Sequence, residues 1–83
     1  MTRVAKLYGQ IRLGNRPTFQ ELRRLAEAFG FELKRITGSH HIYQHPRAAG
    51  NLNLQPDGKN AKPYQVRQFL DMVETYGLEM IDE

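Results

Sequence analysis

The sequence predicts a two-layer α+β sandwich in which two helices cover one face of an antiparallel three-stranded sheet. First, two segments that start at Thr18 and Pro63 carry apolar residues at helical spacing. Second, three short runs of alternating apolar and polar residues lie between them, and the short turns that join these runs favour an antiparallel meander. Because two amphipathic helices cannot bury their apolar stripes alone, we expect both on one face of the sheet. The other face is then open to water or a partner.

The first of these helices begins at a capping box. The Thr18 hydroxyl can accept a hydrogen bond from the backbone N–H of Glu21, and the Glu21 carboxylate can reach back to Thr18. Gly30 suits the left-handed position that ends a helix. The apolar stripe between these signals consists of Phe19, Leu22, Leu25, Ala26 and Phe29.

The strands and the last helix follow in order. The three strand-like runs are residues 31–36, 40–45 and 51–55. Residues 37–39 form a turn, and residues 56–60 are predicted as a loop. The last helix begins near Pro63 and stops at Gly77, with Leu78 folding back against its last turn. Its predicted buried stripe is Val66, Phe69, Leu70 and Val73.

A length of 83 residues indicates one small domain. The opening segment has helical spacing, but Gly9 weakens it, so we expect either a short docked helix or an arm. We therefore divide the chain into an N-terminal helix or arm (1–17), the main domain (18–78) and an acidic tail (79–83).

Composition limits the classes of function. The chain has no cysteine, so disulfides and thiolate metal sites are not available, and this favours a cytoplasmic protein. No stretch approaches the roughly 20 apolar residues of a membrane span, and no signal peptide is apparent. The formal net charge of +3 is compatible with a nucleic-acid partner but too mild to indicate one alone.

All three histidines fall in the second strand-like run. Imidazole is the side chain best suited to move protons near neutral pH. Alternation places His41, Tyr43 and His45 on one face, and His40 and Ile42 on the other. We expect Ile42 to face the helices, which would put His41 on the open face. His40, as the first strand residue, can still turn outward at the end of the sheet, so both remain candidate catalytic residues.

Nearby side chains suggest a phosphate-binding surface. Lys34 and Arg35 are expected on opposite faces of their strand, so that one of them flanks the histidines. Lys59 and Lys62 lie near the start of the last helix, where they can bind a phosphate with its N–H groups or simply be solvated. Tyr43 is predicted either to stack on a base or to pack across strands.

A metal site is not expected. His41 and His45 are four strand residues apart, about 13 Å, which is too far to share one ion. No cysteine is present to complete a site. The sequence therefore predicts neither a metal nor another cofactor.

These residues together resemble a known family. A helix, a basic strand with Lys34-Arg35, the motif Gly38-Ser39-His40, a strand ending in His45-Pro46, a third strand and a closing helix are similar to the HicA toxins. These are small messenger-RNA-cleaving proteins of bacterial toxin–antitoxin pairs with a fold like the double-stranded-RNA-binding domain.

The resemblance carries several implications. It implies an α-β-β-β-α fold, an RNA substrate, a HicB-like antitoxin partner and a histidine that acts without a metal, which the motif assigns to His40. Ser39 and His45 are counted with the RNA-contacting residues on the same basis. Many members carry a histidine in the loop after the third strand, whereas residues 54–64 here contain lysines and no histidine. The alternative is therefore a non-catalytic RNA-binding or partner-binding module on the same fold.

Overall fold

Helices pack on one face of a small antiparallel sheet in the computed structural model, which describes residues 3–81, and the first strand of this sheet is exposed along its whole length. The elements are α1 (Arg3–Arg12), α2 (Phe19–Ala28), β1 (Glu32–Thr37), β2 (His40–Gln44), β3 (Leu52–Leu54), β4 (Pro56–Asp57), β5 (Asn60–Ala61) and α3 (Pro63–Tyr76). The main sheet has the order β1-β2-β3, and both of its pairings are antiparallel. The predicted α+β fold is confirmed. Of the predicted terminal segments, Met1, Thr2, Asp82 and Glu83 lie outside the described residues.

The capping box at the start of α2 forms as predicted. Thr18 Oγ1 accepts from the N–H of Glu21 at 3.0 Å, and Glu21 Oε1 accepts from the N–H of Thr18 at 2.9 Å. Gly30 follows the helix at φ 93°, a conformation that favours glycine. The whole predicted stripe of α2 is buried and forms one wall of the core.

The last helix also keeps its predicted limits. Pro63 occupies its first turn and Gly77 closes it at φ 59° in the left-handed region. Leu78 folds back, since its N–H donates to the Val73 carbonyl at 2.9 Å and its side chain is buried. At 14 residues α3 is the longest helix of the described region, and none of the helices there has both the length and the apolar character needed to cross a membrane.

The opening segment is a docked helix. The ring centroids of Tyr8 and Phe29 are 4.9 Å apart, and Ile11 is buried in the common core. Helix α1 therefore adds to the layer that α2 and α3 form over the sheet.

The faces of β2 are the reverse of those predicted. Tyr43 pairs with Leu52 and His41 pairs with Leu54, and both leucines are fully buried. Because paired residues share a face, Tyr43 and His41 lie on the side of the helices. Ile42 lies on the open face, so its predicted contact with the helices is wrong. The larger Tyr43 ring buries more apolar surface there than Ile42 would.

A β-bulge corrects the prediction for the two basic residues of β1. Lys34 has no partner in a register that pairs Leu33 with Tyr43 and Arg35 with Ile42. The extra residue shifts Arg35 to the face of Ile42, which is the open face. Lys34 Nζ donates to Glu32 on that same face. Both cations therefore lie on the open face instead of on opposite faces.

Residues 56–61, of which 56–60 were predicted as a loop, contain a second small sheet. Strands β4 and β5 form a hairpin, and Thr18 forms an isolated bridge with Asn60. Arg16 Nη2 donates to Asp57 Oδ2 at 2.8 Å. The hairpin thus ties the start of α2 to the start of α3, a long-range pairing that local pattern does not reveal.

Candidate functional site

His40 is exposed on the open face of the sheet and contacts two amide side chains. Nδ2 of Asn53 lies 2.9 Å from His40 Nδ1, and Nε2 of Gln55 lies 3.1 Å from His40 Nε2. Both ring nitrogens are therefore engaged while the ring remains open to solvent. Such an imidazole has a defined orientation and is accessible to a solute.

Strand pairing explains why these side chains meet. Asn53 is the partner of Ile42, so it shares the open face with His40. Sequence reasoning did not identify Asn53 or Gln55. The signal was present, because these polar residues alternate with the buried Leu52 and Leu54 and must point to the opposite face.

The amide side chain of Gln65 supports Gln55 from inside the protein. Gln65, in the first turns of α3, is only 2% exposed. Its Oε1 accepts from the backbone N–H of Gln55 at 2.7 Å, and its Nε2 donates to Gln55 Oε1 at 3.0 Å. Gln55 is thus held by its main chain and its side chain.

The open face also carries the two cations of β1. Lys34 forms an ion pair with Glu32 at 2.9 Å, and this hydrogen bond together with the lysine charge lowers the pKa of Glu32. Arg35 forms no ion pair within residues 3–81. Its strand position is diagonal to His40, so the two backbones stand about 7–8 Å apart. The guanidinium is therefore available to an anion near the imidazole.

In a comparison with protein-family models, residues 19–74 match the HicA toxin of bacterial toxin–antitoxin systems. The chain belongs to the HicA toxin family. The resemblance seen in the sequence is thereby confirmed. Membership implies an antitoxin partner. A comparison with curated proteins found no match.

His41 of this HicA-family protein lies on the opposite side of the sheet from His40. Its ring meets Phe19 edge to face with centroids 4.9 Å apart, and its Nδ1 is 3.1 Å from the Ser39 carbonyl oxygen. Ser39 itself is exposed in the turn between β1 and β2. His41 is therefore a packing residue at the edge of the core, and the idea that it occupies the open face is wrong.

His45, unlike His40, is buried. Its Nε2 lies 2.9 Å from the Phe29 carbonyl oxygen, and its Nδ1 accepts from the N–H of Arg47 at 3.0 Å. Its ring also meets Phe31 with centroids 5.2 Å apart. Both ring nitrogens serve the fold, so the structure corrects the expectation that His45 lies at an RNA-contacting surface.

Tyr43 takes the packing role of its two predicted alternatives. Its ring is fully buried, and its hydroxyl accepts from Arg23 Nε at 2.8 Å. Burial raises the pKa of Tyr43, and the hydrogen bond from Arg23 acts in the opposite direction. A base cannot stack on this ring, so Tyr43 does not belong to an RNA surface.

The two lysines near α3 occupy different positions. Lys59 is exposed in the β4–β5 turn, where its carbonyl accepts from the N–H of Phe19 at 2.9 Å. Lys62 occupies the N-cap position of α3, where its side chain makes no capping hydrogen bond, and it precedes Gln65 by three residues. Lys62 therefore starts the helix that supports Gln55. Residues 3–81 contain no cluster of three or more metal-binding side chains.

Proposed function

We propose that this HicA-family toxin is an endoribonuclease that cleaves messenger RNA in the cytoplasm without a metal, with His40 as the general base. The observation that carries the proposal is the exposed His40 ring, held at both nitrogens by Asn53 and Gln55 on the open face. A base must be within hydrogen-bond reach of the proton it removes, and an exposed, oriented imidazole meets that condition.

The reaction follows from the chemistry of RNA. His40 takes the proton of a ribose 2′-hydroxyl, and the resulting oxygen attacks the adjacent phosphorus. The bond from phosphorus to the 5′-oxygen breaks, and the leaving oxygen takes a proton from water at this exposed site. The products are a 2′,3′-cyclic phosphate and a 5′-hydroxyl. Arg35, which has no ion-pair partner in the described region, is placed to stabilise the extra negative charge on the phosphoryl oxygens.

The remaining basic residues extend this surface. Lys34 lies on the same face, and the exposed Ser39 lies beside His40 in the turn. Lys59 and Lys62 supply further positive charge near α3, where a flanking phosphate can bind. We propose a HicB-like antitoxin that binds the open face and covers His40.

The test is incubation of the purified protein with end-labelled RNA in excess EDTA. Cleavage should survive chelation and give fragments that end in 2′,3′-cyclic phosphate. His40→Ala should lower the rate by about 10²–10⁴-fold, the usual contribution of a general acid–base group, and keep the wild-type circular dichroism spectrum. An unchanged rate for His40→Ala would refute the assignment.

One observation favours a non-catalytic module instead. His41 and His45 both lie on the helix side, and residues 54–64 contain no histidine, so within residues 3–81 His40 is the single imidazole on the open face. No second imidazole is present there to protonate the leaving oxygen. This alternative predicts RNA binding that weakens with salt and yields no fragments in the same assay.

A further inference from the structure

A chain of two amides connects the protein interior to His40. We call the side chains of Gln65 and Gln55 the amide relay. A buried amide such as Gln65 is costly unless its polar atoms have partners. Here Oε1 accepts from the N–H of Gln55 at 2.7 Å, and Nε2 donates to Gln55 Oε1 at 3.0 Å. The relay is thus anchored at its inner end.

The orientation of each amide in the relay is fixed by the hydrogen bond that it forms on its inner side. A backbone N–H can only donate, so Gln65 must turn Oε1 toward the main chain of Gln55. Its Nε2 then points at the Gln55 side chain, which must present Oε1 to it. Nε2 of Gln55 therefore faces His40 Nε2, at 3.1 Å. Because an amide nitrogen only donates, His40 Nε2 must be the acceptor.

We propose that the amide relay fixes His40 as the neutral tautomer with its proton on Nδ1 and its lone pair on Nε2. A neutral imidazole has one N–H and one lone pair, so an acceptor at Nε2 requires a proton at Nδ1. The relay therefore selects the nitrogen that removes the substrate proton.

The Asn53 amide has to match this tautomer. Its Nδ2 stands 2.9 Å from His40 Nδ1. With a proton on Nδ1, two N–H groups would face each other. A half-turn of the Asn53 amide, whose orientation is assigned from its hydrogen bonds, places Oδ1 against the Nδ1 proton. Asn53 then accepts from His40, while Gln55 donates to it.

The consequence deepens the proposed nuclease mechanism and rests on it. The 2′-hydroxyl must approach Nε2 and replace the Gln55 amide there, while Asn53 keeps the ring in place from Nδ1. Gln55 and Gln65 are positioning residues, since they act through His40. The tautomer itself does not depend on the nuclease reaction and can be measured without RNA.

The first experiment is a long-range ¹H–¹⁵N correlation spectrum of the ¹⁵N-labelled full chain, at a pH above about 8 where imidazole is neutral. We expect the proton of His40 on Nδ1, and a proton on Nε2 would overturn the proposal. If this tautomer is found but the protein does not cleave RNA, the proposed nuclease activity is refuted and the proposed amide relay is supported.

Two variants then test each link of the relay. Gln55→Glu places a carboxylate opposite Nε2, which should move the proton of His40 to Nε2. Gln65→Met keeps the size of the side chain and removes the inner anchor. It should give a mixture of tautomers and lower cleavage at least in proportion to the loss of the Nδ1–H form. A single Nδ1–H tautomer in Gln65→Met would remove Gln65 from the mechanism.

Matched controls are available on the same elements. Gln68→Met makes the same change on α3, where Gln68 is exposed and donates to the Asn51 carbonyl. Gln44→Glu makes the same charge change at the exposed Gln44 of β2. Both controls should retain the wild-type tautomer, and Gln68→Met should also retain the cleavage rate. A tautomer change in either control would mean that charge or helix stability, and not the relay, determines the state of His40.

Discussion

His40 and His41 are adjacent in the chain, yet their rings lie on opposite faces of the sheet. His40 contacts Asn53 and Gln55 on the open face, whereas the ring of His41 lies 4.9 Å from that of Phe19 under the helices. The strand period of two produces this separation. One imidazole is therefore available to a substrate, and the other contributes to packing.

This division predicts opposite effects for the two alanine variants. His41→Ala should destabilise the protein by about 1 kcal/mol, because it removes an edge-to-face ring contact, and should leave the rate of RNA cleavage of the folded protein unchanged. Urea denaturation and a cleavage assay on the same sample measure both quantities. A His41→Ala protein that is fully stable but inactive would show that His41, and not His40, is the catalytic histidine.

The buried Tyr43 should make the protein sensitive to alkali. Burial raises its pKa in the folded state, so the unfolded chain loses this proton first as the pH rises past about 10. The folded state then holds more protons than the unfolded state, and the free energy of unfolding falls with rising pH. Denaturation midpoints measured across this range should show the decline.

The control for this prediction is Tyr43→Phe. It should lose about 1 kcal/mol at neutral pH, since the hydroxyl no longer accepts from Arg23, and should show a weaker alkaline decline. Tyr76→Phe on α3 leaves Tyr43 in place and should keep the decline. Equal pH dependence in all three proteins would exclude Tyr43 as its source.

His45 should contribute to the stability of the protein and not to its affinity for RNA. His45→Ala leaves the Phe29 carbonyl without its partner and opens a cavity beside Phe31, so we expect a loss of about 2–4 kcal/mol. RNA affinity should not change at temperatures where the variant is folded. Thermal denaturation together with filter binding tests both statements, and weaker binding by a fully folded variant would restore His45 to the RNA surface.

Local signals account for the correct part of the sequence prediction. The capping box of Thr18 and Glu21 and the glycine stop at Gly77 act over a few residues, so they can be read without knowing the fold. The leucines of β3 also identify its buried face by simple alternation. These features set the order of elements and the layer arrangement.

The errors came from interactions between distant segments. The bulge at Lys34 depends on pairing with β2, and the hydroxyl of the buried Tyr43 finds its hydrogen-bond partner, Arg23, in α2. Gln65 lies within the apolar stripe of α3, and its partner Gln55 is ten residues away in the chain. Periodicity does not encode such pairings, so the contact between Gln65 and Gln55 could not be derived from sequence. The alternation of β3 indicates only that Asn53 and Gln55 lie on the open face.

Gly30 is predicted to be the least tolerant glycine of the chain. At φ 93°, a Cβ built there would stand 2.7 Å from Ile81 Cδ1 and 2.9 Å from His45 Nε2. Gly30→Ala therefore combines backbone strain of about 1–3 kcal/mol with displacement of the buried imidazole. Gly14→Ala is the matched control, since Gly14 has φ 104° and no neighbour within 4 Å. Equal losses in denaturant midpoint would show that strain alone acts at both sites.

Arg35 is expected to bind a phosphate of the RNA. Its guanidinium has no ion-pair partner within residues 3–81, and the bulge places it on the face of His40. A cation that neutralises one phosphate of a single strand contributes about 0.7 to the slope of log affinity against log salt. Arg35→Gln should therefore weaken RNA binding and reduce the magnitude of that slope by about 0.7.

The measurement is a titration of catalytically inactive His40→Ala protein with single-stranded RNA at several salt concentrations. Arg24→Gln is the matched control, because Arg24 is exposed on α2 and α2 covers the other face of the sheet. That variant removes the same charge and should keep the slope of the parent. If both variants lower the slope equally, the RNA responds only to net charge. The open face would then have no special role in binding.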